Sequence, residues 1–238
     1  MTIALVSAMH EELAAVLALM PDERRQLIAG REFWLGHLHG QPVVAVLSRI
    51  GKVAAATTAT VLIERFAIDR IVFTGVAGGL APGVNVGDIV VADAFLQHDL
   101  DASPIFPRYQ VPLYGVDRFA ADPALSDQLA NAARSALPNA KLHRGLVLSG
   151  DRFVSTSAES LALRRALPQA LAVEMEGAAI AQVCRDYGMP FAAVRTVSDR
   201  ADDAAHGDFT SFVREVASRC SAVIVEAFLR ALPAPAGG

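Results

Sequence analysis

The sequence predicts an α/β fold, with one domain in three layers, α/β/α, around a mixed, mostly parallel central sheet. Apolar runs of strand length alternate almost one for one with amphipathic stretches of helix length, which is the pattern of a sheet covered by helices. The chain has 238 residues, of which 53% are hydrophobic and 19% charged, enough to bury a large core. We expect one domain over residues 1–232 and a disordered tail at 233–238.

The elements of the first half follow from the spacing of apolar residues. Short apolar runs bounded by polar or turn residues predict strands, and longer runs with a 3.6-residue period predict helices. The tetrapeptide His-Gly-Gln-Pro at 39–42 predicts a hairpin-like turn. The predicted strands are 3–6, 33–38, 43–47, 70–74 and 88–94, and the predicted helices are 11–20 and 53–66.

The second half continues this alternation. A helix over 123–137 is favoured by Pro123 in its first turn and by Pro138 just past its end. The stretch 97–119 has no clear period, and loops of this length usually have a function or lie at an interface. The other predicted elements are strands 145–148, 170–173 and 191–197 and helices 158–167 and 209–232.

Composition argues against several classes of function. The net charge is −4 without a cluster of Lys and Arg, which is atypical of nucleic-acid binding. No apolar run reaches the roughly 20 residues of a membrane span, so we expect a cytoplasmic protein without a membrane partner. Cys184 and Cys220 show neither metal-ligand nor disulfide spacing. They predict two buried thiols, and we expect no metal and no cofactor.

Carboxylates follow two predicted strands. Glu174 and Glu176 come after the strand at 170–173, and Asp199 follows Ser198 at the end of the strand at 191–197. Acids at the carboxyl ends of strands in an open α/β sheet face the crevice where ligands bind, and such pairs suit acid/base chemistry on a sugar bond. One of the two glutamates could instead be a helix N-terminal charge, and Ser198-Asp199 could simply cap the segment 200–205.

Other candidates are open to two interpretations. Glu11 and Glu12 follow the first strand, where they could match the dipole of a helix or face the crevice. The glycine-rich segment 74–79 could be a turn after a strand or a backbone surface for a ligand. Met175 could lie in the core or contact a ligand. Arg195 lies inside a predicted strand, where burial demands a partner.

Taken together, these segments resemble the purine nucleoside phosphorylase/hydrolase superfamily, and within it the 5′-methylthioadenosine/S-adenosylhomocysteine nucleosidases. The match spans nearly the whole chain, and the order and separation of the motifs make it specific. The motifs are Ala-Met-His-Glu-Glu at 8–12, Ile-Gly-Lys-Val-Ala-Ala at 50–55, Thr-Gly-Val-Ala-Gly-Gly at 74–79, Val-Gly-Asp-Ile-Val at 86–90, Ser-Gly-Asp-Arg-Phe at 149–153, Val-Glu-Met-Glu-Gly at 173–177 and Val-Ser-Asp at 197–199.

The resemblance implies a nucleoside phosphorylase-like fold, a small-molecule purine nucleoside as substrate, and a homodimer. It implies Glu12 as the general base that activates water and Asp199 as the acid that protonates N7 of adenine. Glu176 would hold the ribose hydroxyls, with Met175 lining the ribose face. The implied substrate-binding set also includes Gly78 near the ribose, Phe153 stacking on adenine, the Val154 backbone at the base edge, Ser198 beside the acid and Phe209 near the alkylthio group.

The implied reaction is hydrolysis of the N-glycosidic bond of 5′-methylthioadenosine, S-adenosylhomocysteine or both. A proton on N7 makes adenine a better leaving group, so Asp199 must hold or deliver one near neutral pH. Two departures from the family pattern are Val76, where many relatives have Ser, and Arg49, where they usually have Gly. Because phosphorylases of this superfamily hold phosphate with arginines, phosphorolysis is one alternative, and a non-catalytic nucleoside-binding protein is another.

Overall fold

The computed structural model describes residues 1–203, Ala205 and 218–233. Within these ranges ten strands form one mixed sheet, and six helices pack against it. The strands are β1 (Ile3–Ser7), β2 (Arg24–Ile28), β3 (Arg31–Leu38), β4 (Gln41–Leu47), β5 (Arg70–Gly79), β6 (Ile89–Gln97), β7 (Arg118–Ala120), β8 (Leu142–Ser149), β9 (Ala170–Glu174) and β10 (Phe191–Asp199). The helices are α1 (His10–Leu17), α2 (Lys52–Arg65), α3 (Pro123–Ala136), α4 (Ser157–Ala166), α5 (Gly177–Tyr187) and α6 (Ser218–Ala231).

The sheet has an open end and a closed end. At the open end, β2, β3 and β4 are antiparallel, and β1 lies parallel to both β4 and β5. From β5 the strands run through β9, β8, β6 and β10, and β10 pairs with β5 again, so five strands close into a ring. The ladders β5–β10, β6–β8 and β8–β9 are parallel, whereas β5–β9 and β6–β10 are antiparallel. The mixed sheet of the predicted fold class is therefore confirmed.

The helices cover the sheet on two sides because the central strands are apolar on both faces. In β1, Ile3 and Leu5 pack into the core beneath α1, α3 and α6, whereas Ala4 and Val6 pack into the core beneath α2 and α5. Successive side chains of a strand point to opposite faces, so a single apolar run supplies both layers of the core.

Several local signals end or begin elements as expected. The Asp122 side chain accepts a hydrogen bond from the Leu125 N–H at 2.7 Å, and Pro123 is the first residue of α3. Thr156 caps α4 by accepting the Glu159 N–H. Gly188 ends α5 in the left-handed conformation, with φ of 65°.

Several strands differ from the sequence expectation, and two of them, β2 and the three-residue β7, were not predicted. Strand β2 was not predicted, because it lies at the sheet edge and is largely exposed and polar. Of the two interpretations of the segment 74–79, the turn is wrong, since β5 continues to Gly79 and pairs there with β9. Similarly, β10 continues through Ser198 and Asp199. These strands are longer than their apolar runs because their ends are paired with other strands.

The remaining expectations concern the long loop, the termini and the thiols. The stretch 97–119 consists mainly of turns, and β7 begins only at its end. The carbonyl of Pro233 accepts a hydrogen bond from the Gln41 side chain at 2.8 Å, and 234–238 lie outside the described residues. Cys184 is buried, but Cys220 is only half-buried, contrary to the expectation of two buried thiols. Among the described helices, none has the length and apolar character to cross a membrane.

Candidate active site

A cleft forms where β9 and β10 both meet the end of β5. Gly78 of β5 pairs with Val173 on one side and with Asp199 on the other. Because β9 runs antiparallel to β5, its last residues lead back along β5 towards Gly75, where Arg195 of β10 is the neighbour. The residues that line the cleft are Gly78, Arg152, Phe153, Val154, Val173, Glu174, Met175 and Asp199.

Glu174 is a buried residue whose carboxylate holds the turn between β9 and α5 through hydrogen bonds. Its carboxylate accepts the backbone N–H of Glu176 at 3.1 Å and that of Gly177 at 2.9 Å, so it satisfies the N-terminus of α5. The Ser149 hydroxyl donates to the same carboxylate and accepts the Ala178 N–H at 2.8 Å. These bonds fix the strand-to-helix turn from which Glu176 projects.

Arg195 supports the carboxylate of Glu174 from β10. Its side chain is 1% exposed, its Nη2 donates to Glu174 at 2.5 Å, and its guanidinium lies 3.6 Å from the centre of the Phe73 ring. The expected ion-pair role of this buried strand arginine is thereby found. Gly75 makes room for it, because a Cβ there would lie 2.6 Å from Nη1 of Arg195.

Glu12 is a fully buried carboxylate near this arginine, whereas its neighbour Glu11 is exposed. Its Oε2 accepts the Met9 N–H at 3.1 Å, and its Oε1 has no hydrogen-bond partner among the described residues. Burial raises the pKa of Glu12 to about 7, although the nearby positive charge of Arg195 opposes this. A carboxyl group with such a pKa can accept a proton near neutral pH.

Glu176 is also buried and lies at the N-cap of α5. Its Oε1 accepts the Gly51 N–H at 2.8 Å, at the N-terminus of α2. Burial raises its pKa to about 8, and repulsion from Glu174 contributes in the same direction. The next N–H of α2, that of Lys52, is bound by Asp151 at 2.7 Å. Two carboxylates thus hold this helix terminus in place.

Asp199 is oriented by its own strand and the turn that follows. The Ser198 hydroxyl donates to Oδ2 at 2.8 Å, and the Ala201 N–H donates to Oδ1 at 2.7 Å. Both Ser198 and Asp199 are buried. Gly78 lets the carboxylate approach β5, since a Cβ there would lie 2.9 Å from Oδ1. The capping interpretation is partly right, because Asp199 does bind the following backbone.

The other predicted residues line the same cleft. Val154 is buried, Met175 is half-buried, and Phe153 is partly exposed at the rim. Phe209 lies outside the described residues. The structure therefore brings Gly78, Phe153, Val154, Met175 and Asp199 together around one cleft. Ser198 reaches the cleft through Asp199, and Glu176 adjoins it directly after Met175.

Three contributors were not singled out from the sequence. The Gly51 N–H holds Glu176, the Ser149 hydroxyl holds Glu174, and Gly75 provides the space that Arg195 occupies. Gly51 directly precedes a predicted helix, which is a signal for backbone N–H groups available to an acid. Ser149 and Gly75 lie within two of the motifs, but no local pattern indicates which charged side chains they contact.

Comparison with known proteins places the site in context. The family model described as the phosphorylase superfamily matches residues 2–230. A 5′-methylthioadenosine/S-adenosylhomocysteine nucleosidase from Neisseria meningitidis, in complex with methylthio-immucillin-A, is 37% identical with a TM-score of 0.92. The match covers 97% of this chain and 99% of that one.

Two further solved structures match nearly the whole chain at somewhat lower identity. The corresponding nucleosidase from Streptococcus pneumoniae, with a transition-state inhibitor, is 35% identical with a TM-score of 0.89, and the match covers 98% of this chain and 100% of that one. A mutant of the Helicobacter pylori nucleosidase, with 5′-methylthioadenosine in its active site, is 30% identical with a TM-score of 0.90. That match covers 97% and 99% of the two chains.

The buried carboxyl group of Glu12 predicts a pH-dependent effect on stability. Its pKa is about 7 in the fold and 4.5 ordinarily, so the folded chain keeps a proton that the unfolded chain releases between these pH values. The wild type therefore loses stability as the pH rises through this window, by about 3 kcal/mol from this group. The Glu12→Gln variant has no carboxyl group at this position and does not lose this stability. The free energy of unfolding of the variant minus that of the wild type should therefore increase by about 3 kcal/mol between pH 4 and pH 8.

Denaturant unfolding at the two pH values measures this difference. The exposed neighbour gives a matched control, because Glu11→Gln should alter the free energy of unfolding little at either pH. A Glu12→Gln difference that stays constant with pH would contradict the raised pKa.

Proposed function

The chain belongs to the phosphorylase superfamily and, within it, to the 5′-methylthioadenosine/S-adenosylhomocysteine nucleosidases, and from this premise we propose that it hydrolyses the N-glycosidic bond of these nucleosides. The products are adenine and the corresponding thioribose. One observation supports this most directly: two buried carboxyl groups, Glu12 and Asp199, lie against the same strand at Gly75 and Gly78. Three residues of strand span about 10 Å, which leaves room for a sugar and a water molecule between them.

In the proposed reaction, Glu12 takes a proton from water as the water oxygen bonds to C1′ of the ribose. The bond from C1′ to N9 of adenine breaks, and the electron pair goes to the base. A proton delivered through Asp199 to N7 lets adenine leave as a neutral molecule. Glu12 ends protonated and Asp199 ionised, and proton exchange with solvent restores both. The raised pKa of Glu12, about 7, suits a base that works near neutral pH.

The transition state resembles that of glycoside hydrolysis, with positive charge on the sugar. Glu176 is proposed to bind the ribose hydroxyls. The positive charge on the sugar lowers the pKa of Glu176 from the value of about 8 to which burial raises it, so that its carboxylate form stabilises that charge. The Gly51 N–H fixes Glu176 at 2.8 Å, so the group is oriented before substrate arrives. Met175 is proposed to line the sugar face beside it.

Adenine is proposed to bind between the loop after β8 and the end of β10. Phe153, at the rim of the cleft, would stack on the base, and the Val154 backbone would read its edge. Gly78 would lie near the ribose, and Ser198 would keep Asp199 aimed at N7 through their hydrogen bond of 2.8 Å. Phe209, proposed near the alkylthio group, lies outside the described residues.

Hydrolysis is favoured over phosphorolysis by the positions of the two arginines that raised the alternative. Nη2 of Arg195 is paired with Glu174 at 2.5 Å, and Nη2 of Arg49 donates to the carbonyl of Gly30. The buried Arg195 is therefore engaged in an internal ion pair, and only the donors of Arg49 other than Nη2 remain for an anion. The two proton-transfer groups also argue against a protein that only binds nucleosides.

We expect the protein to release adenine from 5′-methylthioadenosine and S-adenosylhomocysteine in phosphate-free buffer. Adenine and the sugar product are followed by chromatography, with and without added phosphate. Equal rates with a thioribose product support hydrolysis, whereas a phosphate requirement and a ribose 1-phosphate product would establish phosphorolysis. If calorimetry detects nucleoside binding but no adenine is released, the protein binds nucleosides without catalysing their cleavage.

Loss of either proton-transfer group should reduce kcat by about 10²–10⁴-fold. Glu12→Gln removes the base and Asp199→Asn removes the acid, while both preserve side-chain size. Steady-state kinetics with 5′-methylthioadenosine measures the effect, and thermal unfolding verifies that each variant is folded. Glu11→Gln serves as the matched control and should retain activity. A folded Asp199→Asn variant with near wild-type kcat would refute the proposed proton path.

A homodimer is part of the same proposal, and exposed apolar side chains support it. Ile105 and Leu113 in the 97–119 loop are 82% and 92% exposed, and Val53 near the start of α2 is 78% exposed. An ion pair of 2.6 Å between Lys52 and Asp99 joins the loop to the start of α2, where Val53 lies. Exposed apolar patches of this kind commonly mark interfaces between chains.

Sedimentation analysis should find a dimer for the wild type. Leu113→Glu should shift the equilibrium towards monomer, because a carboxylate at an apolar interface costs desolvation. Leu161→Glu, at an exposed apolar position on α4, should leave the dimer intact. A monomeric wild type would contradict the proposed dimer. Equal behaviour of the two variants would show that Leu113 does not lie at its interface.

A further inference from the structure

Arg49 has a backbone conformation that arginine seldom adopts. Its φ is 65°, in the left-handed region, where a residue other than glycine is disfavoured by roughly 1 kcal/mol or more. Such strain tends to be retained where the side chain has a function. The side chain of Arg49 is therefore a candidate for a specific role.

Arg49 lines the rim of a cavity of about 570 Å³, a volume typical of small-molecule sites. Its lining includes Ala8 and Met9, which follow β1, Arg49 and Ile50, which follow β4, and Trp34 of β3. The cavity thus extends from the end of β1 outwards to the β2–β3 hairpin.

Two residues of the cavity lining, Met9 and Ile50, adjoin the proposed site. Met9 donates its N–H to Glu12 at 3.1 Å. Ile50 directly precedes Gly51, whose N–H binds Glu176 at 2.8 Å. The cavity lining therefore includes one residue that binds the proposed base and one that precedes the glycine bound to the proposed ribose ligand. With adenine held at the end of β10, this cavity is the natural place for the substituent on the 5′ carbon of the ribose.

The rim of the cavity is positively charged. Arg31 and Arg49 donate to the adjacent carbonyls of Ala29 and Gly30, so their guanidinium groups are close. Burial lowers the pKa of Arg31, and the charge of Arg49 lowers it further. Arg31 is occupied by the Thr58 hydroxyl and by backbone carbonyls. The carboxylate of Glu32, which also lines the cavity, is paired with Arg25 at 2.7 Å.

Arg49 is less fully occupied than Arg31. Over the described ranges its hydrogen-bond partner is the Gly30 carbonyl, bound through Nη2, and its side chain is exposed. A guanidinium group has five N–H donors arranged in a fork that matches a carboxylate. The donors of Arg49 other than Nη2 are therefore available to a carboxylate at the rim, and its positive charge favours that contact.

We propose that Arg49 determines substrate specificity by binding the carboxylate of an amino-acid group on the 5′ sulfur. The chain thereby favours S-adenosylhomocysteine, whose 5′ substituent ends in a carboxylate, over 5′-methylthioadenosine, whose substituent ends in a methyl group. This inference rests on the proposed function, since it assigns the outer part of the same site. A charge-assisted hydrogen bond at a partly exposed position should account for about tenfold in kcat/KM.

The test compares three substrates in phosphate-free buffer. They are S-adenosylhomocysteine, 5′-methylthioadenosine and 5′-(3-aminopropylthio)adenosine, which has the same chain as the first but lacks its carboxylate. In Arg49→Met, the ratio of kcat/KM for S-adenosylhomocysteine to that for each of the other two should fall about tenfold. Arg49→Lys should restore part of the ratio. The exposed Arg134 of α3 gives a control, since Arg134→Met should leave both ratios at their wild-type values.

The outcomes separate this inference from the function on which it rests. An equal loss of kcat/KM for all three substrates in Arg49→Met would overturn the specificity role. It would indicate that Arg49 only stabilises the β2–β3 hairpin through the Gly30 carbonyl. Ratios that do not change in Arg49→Met would overturn the specificity role as well. Turnover that depends on phosphate in wild type and loses this dependence in Arg49→Met would assign the residue to phosphate. Absence of adenine release from every substrate would refute the proposed function itself, and this inference with it.

Discussion

The buried ion pair between Arg195 and Glu174 is the interaction on which the rest of the site depends. Burial disfavours the charged form of Glu12 and Glu176, and the positive charge of Arg195 counteracts that effect on both. Without this guanidinium, three carboxyl groups would share a region with little access to water. Removing one partner of such a pair typically costs about 3–5 kcal/mol because the other charge remains buried. Fold stability and the protonation of the site are therefore linked through one residue of β10.

Glycines in β5 make this concentration of charge possible. A Cβ at Gly75 would lie 2.6 Å from Arg195, and one at Gly78 would lie 2.9 Å from Asp199. The segment was interpreted from the sequence as a turn or as a backbone surface for a ligand, but it is a strand. Its glycines serve the close approach of charged side chains to the backbone, and the strand continues because β9 and β10 pair with it.

Much of the fold could be predicted from local pattern, and the site only in part. The 3.6-residue period located most helices, short apolar runs located most strands, and Pro123 identified the start of α3, because these signals act between neighbours in the chain. Local pattern left Glu11 and Glu12 equivalent, and only burial beside Gly75 distinguishes them. The family resemblance selected Glu12, and the packing provides a physical reason for that selection. The edge strand β2 was missed because its pairing with β3, and not its composition, makes it a strand.

By itself, the sequence determined the alternation of strands and helices, the acids at strand ends and the motifs that mark the family. The tertiary structure decided what those acids contact. Glu174 and Glu176 were expected at the carboxyl end of a strand in a mainly parallel sheet, yet β9 runs antiparallel to β5 and reaches the site because five strands close into a ring. Strand propensity depends on residues near each other in the chain, whereas closure of the ring pairs Gly75 of β5 with Arg195 of β10, 120 positions further along the chain. Only the folded chain brings Glu12 beside Arg195.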